Sequence, residues 1–211
     1  VGVYDAAQTF ESRAVVTLNY AADNVVLFSS QAVVIPQFKA AGTAGWDPTS
    51  GGGFADYYNG INQANTVIKY LPAVSGDTVL KDNLLAQAYF LRALAYFDLA
   101  RTYGGVQLIL EPSESPYNGE GVKKSSYEDV LKQVKADLSQ AEALFDESFS
   151  SAAKASLWAA YALKARVCLY LEEWEEAADY AGRVIGSGRF ALTPEVSGFF
   201  ENALSGESVF E

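Results

Sequence analysis

Apolar residues return every three or four positions over most of this chain, the spacing of a buried helix face. Val3, Ala7, Phe10, Ala14 and Leu18 form a first stripe and predict a helix over 3–18. From 28 to 53 the periodicity stops. Pro36 and Pro48 intervene there with Gly42, Gly45, Gly51, Gly52 and Gly53, so the stretch reads as a long loop. Loops of that length in compact domains are uncommon and often functional. A second helix is expected over 54–71, with Phe54, Tyr57, Tyr58, Ile61, Ala64, Ile68 and Leu71 on one face and Pro72 barring its continuation. A third, over 80–103, is apolar on nearly every side, which predicts a central helix packed all round. Gly104-Gly105 supplies its stop.

Residues 106–110 then read as a short extended run and 111–124 as a loop. A fourth helix opens at Ser126, with Asp129 at the third position of a capping box, and buries Val130, Leu131, Val134, Leu138, Ala141 and Phe145. A fifth is expected over 153–171 and a sixth over 174–185, ended by Gly186 and Gly188. Ala165 and Cys168 on the fifth, and Ala177, Ala181 and Val184 on the sixth, are small enough for close crossing, with Tyr161 and Trp174 filling the flanks. Ala88 and Ala95 take the same places in the earlier hairpin. This spacing is similar to the tetratricopeptide helix–turn–helix unit. The fold class predicted is all-α: tetratricopeptide-like antiparallel hairpins with long irregular loops, as a single domain over 1–211. Taken alone, such units suggest a protein–protein adaptor that grips a peptide in its groove.

Composition narrows the function. Half of the 211 residues are hydrophobic, which excludes intrinsic disorder. The net charge is −11, and most of it lies beyond Gly104, on predicted helix surfaces such as Glu172-Glu173 and Glu175-Glu176. Phosphate-backbone binding needs clustered Lys and Arg, so nucleic acid is not an expected partner. With no His, neither a His-based triad nor a His-ligated metal can form, and the single Cys168 excludes an internal disulfide framework. No cofactor or metal is expected. No apolar run approaches the ~18 residues of a membrane span. The chain begins at Val1, from which a processed product or excised piece is expected.

Three segments carry a resemblance: YYNGINQANTVI at 57–68, AYFLRALAYFDLARTYG at 88–104 and ALKARVCLY at 162–170. In this order they are similar to the SusD/RagB family of glycan-binding lipoproteins of Bacteroidetes outer membranes. ESVFE at 207–211 resembles the strand that follows the repeats in that family. Gln87 stands where the family usually has Glu, Gln107 where it has Pro, and Phe54 where it has Trp. Family members are longer, so the chain resembles their N-terminal, repeat-bearing portion. The resemblance implies a non-catalytic surface protein, anchored by a lipid outside this chain. It would capture oligosaccharide for a TonB-dependent transporter.

Sugars are held by aromatic faces and by side chains that hydrogen-bond hydroxyls. The loop at 28–53 offers Trp46 with Asp47, and Phe38 with Gln37 and Lys39, as ligand-binding candidates. Trp46 either stacks on a sugar or anchors the loop to the helices. Arg92, in an apolar helix, reads as a structural charge. Asp98 is six residues away on a different face, so each is expected to pair with a neighbouring element. Asn62 and Asn65 share a helix face suited to loop carbonyls or a sugar, while Trp158 and Trp174 are assigned to packing. Catalysis would require paired carboxylates in a cleft, one of them raised by burial. Most acids here read as exposed, and Asp23, Asp47 and Asp56 have no partner identifiable in the sequence.

Overall fold

The computed structural model of the protein describes residues 2–21, 53–113, 121–149, 151–192 and 206–210, with side chains in the first helix as far as Glu11. Among the described residues six helices follow in order: α1 Gly2–Ala21, α2 Gly53–Tyr70, α3 Thr78–Tyr103, α4 Tyr127–Leu144, α5 Leu157–Tyr170 and α6 Trp174–Gly186. Pro72 falls in a short 3-10 turn, Leu71–Ala73, that leads from α2 towards α3. Each helix packs on the next or next but one, so the expected all-α hairpins are present. Among the described residues no helix is long and apolar enough to cross a membrane.

Helix α3 is the centre, touching α1, α2, α4 and α5, with 14 of its 26 residues buried. Its all-round burial starts at Ala86; Leu80 and Leu84, one and two turns in, face solvent. Asp77 caps it, accepting from the Val79 and Leu80 amides at 2.8 and 3.3 Å. At the other end the Gly104 amide donates to Ala100 at 2.9 Å with φ of 75°, a left-handed turn that disfavours any side chain. Gly60 on α2 serves closeness instead. A Cβ there would meet the Phe10 ring at 2.9 Å, so its absence lets α1 lie against α2 with Phe10 buried on Tyr57.

The caps explain where boundaries differ from expectation. Helix α5 begins at Leu157 because Ser156 takes the Ala159 amide at 3.3 Å; the alanines before it sit in a turn. At α4, Ser126 accepts the Asp129 amide at 3.1 Å, but Asp129 returns to the Ser126 hydroxyl at 2.6 Å. The reciprocal bond thus involves the hydroxyl, since Asp is one methylene shorter than the Glu of a full capping box.

At the α5–α6 crossing, Ala165, Cys168 and Ala177 are buried as expected, and Ala181 packs beside them. Trp174 is a correction: standing at the first position of α6, it is 61% exposed rather than packed. Trp158 is half-buried, edge-on to Tyr161 and covered by Arg189. The 106–110 run is extended and makes one antiparallel bridge, Gln107 to Lys124. Residues 206–210 carry no ladder among the described residues. Phe210 instead packs edge-on against Phe90, so the strand expected at 207–211 is not seen there; Glu211 lies outside the described residues.

Candidate functional site

A buried polar clasp surrounds Arg92. Its guanidinium donates to both carboxylate oxygens of Asp137 on α4, from Nε at 2.8 Å and Nη2 at 2.7 Å. Nη1 donates to the Asn65 side chain on α2 at 2.7 Å and to the Leu110 carbonyl at 3.3 Å. Asn65 passes the linkage on, donating to the Ile109 and Glu111 carbonyls at 2.9 and 3.2 Å. Tyr96 closes the arrangement by donating to the Ile109 carbonyl at 2.9 Å and accepting the Ile109 amide at 2.7 Å. Asn62 accepts the Ser113 amide at 2.7 Å, and Tyr58 donates to the Gln107 carbonyl at 2.7 Å. Burial opposes the charge on Arg92, yet the hydrogen bonds and charge of Asp137 outweigh it and hold the guanidinium above its ordinary pKa. A bidentate, fully desolvated pair of this kind fixes geometry. The structural reading of Arg92 and the loop-binding reading of Asn62 and Asn65 both hold. The partner of Arg92, Asp137, did not stand out in the sequence.

Asp98 pairs within its own helix, with Arg101, rather than with a neighbouring element alone. Its charge also acts on Glu11 of α1. The Glu11 carboxyl is pushed up to about 8, by burial first and then by the charge and hydrogen bond of Asp98; Arg101 and Arg166 pull the other way. Glu11 is half-buried and Asp98 buried, which the exposed pattern of acids did not suggest. Glu11 lines a cleft of about 440 Å³ between α1, α3 and α5, walled by Phe90, Leu94, Leu163 and Phe210 with Arg166 beside it. A smaller cleft, about 230 Å³, lies between α1, α2 and α3 beside Val3, Tyr4 and Gln87. There Tyr4 donates to Gln87 at 2.7 Å, and Gln87 donates to Asn83 at 2.7 Å, so the amide at this position both gives and accepts.

Cys168, Glu173 and Glu176 bring possible ligand atoms within 4.8 Å of one another. The Lys135 ammonium already fills that place, bonded to Glu173 at 2.7 Å and Glu176 at 2.6 Å. Burial pushes the Cys168 thiol up to about 11, which keeps it protonated and a poor metal ligand.

The ligand candidates Gln37, Phe38, Lys39, Trp46 and Asp47 lie outside the described residues, as does Asp23. Among the described residues, α2 opens with Phe54, its ring tilted against Tyr58 at 5.0 Å and edge-on to Tyr103 at 5.2 Å. Asp56, in the first turn of α2, does make an interaction there.

Known proteins resemble this chain along most of the described helices. A SusD-like family model, described as "Starch-binding associating with outer membrane", matches residues 3–169. A SusD-like protein P38 of Formosa agariphila is 35% identical over 144 residues, covering 65% of this chain; the chain spans 27% of that protein's length. A SusD-like protein of Bacteroides ovatus is 28% identical over 142 residues, 66% of this chain and 26% of its own length. Among solved structures, a laminarin-binding SusD-like protein superposes with a TM-score of 0.69 at 28% identity, over 74% of this chain and 36% of that one. A SusD superfamily protein of Bacteroides vulgatus superposes with a TM-score of 0.70 at 26% identity, over 77% and 36%.

Proposed function

Because the chain belongs to the SusD-like family, whose model covers residues 3–169, we propose that it is a non-catalytic glycan-binding protein. It works at the outer surface of the outer membrane, held there by a lipid anchor outside this chain, and passes oligosaccharide to a TonB-dependent transporter. The observation that carries this reading is the family match, whose own description combines starch binding with the outer membrane. A solved relative named for laminarin binding supports a polysaccharide ligand.

The helices serve as scaffold. The Arg92 clasp holds the 107–113 segment across α2 and α3, while Phe54, Tyr58 and Tyr103 brace the end of α2 that receives the 28–53 segment. Trp46 and Phe38 supply flat apolar faces for sugar rings; Asp47, Gln37 and Lys39 bind hydroxyls. Stacking of this kind gives modest affinity, and retention comes from several contacts acting together.

Calorimetric titration of the 211-residue chain with starch and laminarin oligosaccharides tests the reading. Binding is expected, weakened about fivefold by Trp46→Ala, in line with the ~1 kcal/mol typical of an aromatic contact. Absence of heat with every glycan in a broad panel overturns it.

A further inference from the structure

We infer that the cleft between α1, α3 and α5 is a binding site for a small neutral aryl alcohol, an aromatic body carrying one hydroxyl. Its volume of about 440 Å³ suits such a ligand. Small-molecule pockets span about 300–1,000 Å³. The inference stands apart from the glycan reading, which rests on other residues.

The walls set the body of the ligand. Among the described residues, all of the lining is apolar except Glu11 and Arg166. Phe90 and Leu163 are 2% and 8% exposed, and Phe210 lies edge-on to Phe90 at 5.1 Å, so the walls are held in place by packing. On α5 the cleft runs over Ala159 and Ala162, whose short side chains leave the room. A rigid aromatic ring buries apolar area here while losing little conformational freedom. A sugar ring is mismatched. It carries hydroxyls all round, and two polar side chains would leave most of them buried and unpaired.

The two polar residues set the head. Glu11 of α1 and the exposed Arg166 of α5 both line the cleft. Arg166 repels a cationic ligand. An anion meets the Glu11 carboxyl, in a chain whose net charge is already −11. A hydroxyl suits both residues, because it accepts from the guanidinium and donates to the carboxylate. It also serves a protonated Glu11, from which it accepts. One oxygen of Glu11, Oε1, is sealed from solvent and has no hydrogen-bond partner, so the fold leaves an acceptor unused beside the cleft. The terminal torsion of a glutamate is broad, which lets that oxygen turn to meet a ligand.

Methyl-resolved NMR of the 211-residue chain, titrated with naphthol near neutral pH, tests the site. Shifts are expected to centre on the methyls of Leu94, Ala159, Ala162 and Leu163. Naphthalene, which lacks the hydroxyl, is expected to bind about fivefold more weakly, the worth of one hydrogen bond. Naphthoate and naphthylmethylammonium should also bind more weakly than naphthol, and methyl glucoside should not displace it. Ala162→Trp fills the cleft and should abolish the naphthol shifts. Arg166→Ala, at an exposed position, gives a second variant that spares the core, and it should narrow the gap between naphthol and naphthalene. Naphthol shifts that are absent or fall elsewhere overturn the proposal. So does a charged analogue that binds as tightly as naphthol, or a glucoside that competes with it. An unchanged ratio of naphthol to naphthalene affinity in Arg166→Ala overturns it as well.

Discussion

The Arg92 clasp and the Lys135 cluster use the same charges to join helices, and their surroundings set them apart. Arg92 and Asp137 have side chains 6% and 2% exposed, bound through two parallel hydrogen bonds. Lys135 reaches Glu173 and Glu176 at similar distances, but its own side chain is 23% exposed and each glutamate 40%. Water and salt compete for the second assembly and are excluded from the first. The distances alone would not distinguish them; burial does.

The sharpest way to break the comparison is Arg92→Ala. It strands Asp137 as a lone buried charge and releases Asn65 and the Leu110 carbonyl, so a loss of about 3–5 kcal/mol in urea unfolding is expected. The pair variant Arg92→Met with Asp137→Leu should recover a good part of that loss, because no unpaired charge remains inside. A smaller effect is expected of Tyr96→Phe, which leaves the Ile109 amide without its acceptor: about 1–3 kcal/mol, with faster hydrogen exchange at Ile109. Lys135→Ala should cost under about 1 kcal/mol, and the cost should shrink in molar salt while that of Arg92→Ala persists. Equal salt sensitivity of the two would dissolve the distinction.

The same contrast explains what could be read from the residues. Helices α2, α3, α4 and α6 were legible because their apolar spacing and their capping or stop residues, Ser126 and Gly104 among them, act over a few positions. Arg92 was legible as a charge needing a partner, since nothing on α3 could satisfy it. Its partner was not, because contact between α3 and α4 spans 45 positions and leaves no local signature. A usable signal existed nonetheless: Asp137 lies on the stripe Val130, Val134, Ala141, and Glu11 on the stripe Ala7, Ala14. Such a position predicts burial, complete for Asp137 and partial for Glu11, yet both read as members of an exposed set. Trp174 misled in the opposite direction, its bulk suggesting burial at a helix start where it is 61% exposed. The ligand side of the molecule was legible only as composition, from aromatic and amide residues gathered where periodicity fails.

The 107–113 segment has one last property. Extended backbone at a surface ordinarily offers its free amides and carbonyls to any passing chain and can seed stacking between molecules. Here Ile109 is matched on both its amide and its carbonyl by a phenol, while the Leu110 and Glu111 carbonyls are taken by a guanidinium and an amide. Side chains thus do the masking that a neighbouring strand would do elsewhere. Loosening them would expose an adhesive ribbon, so clumping would be an early symptom of damage to this clasp.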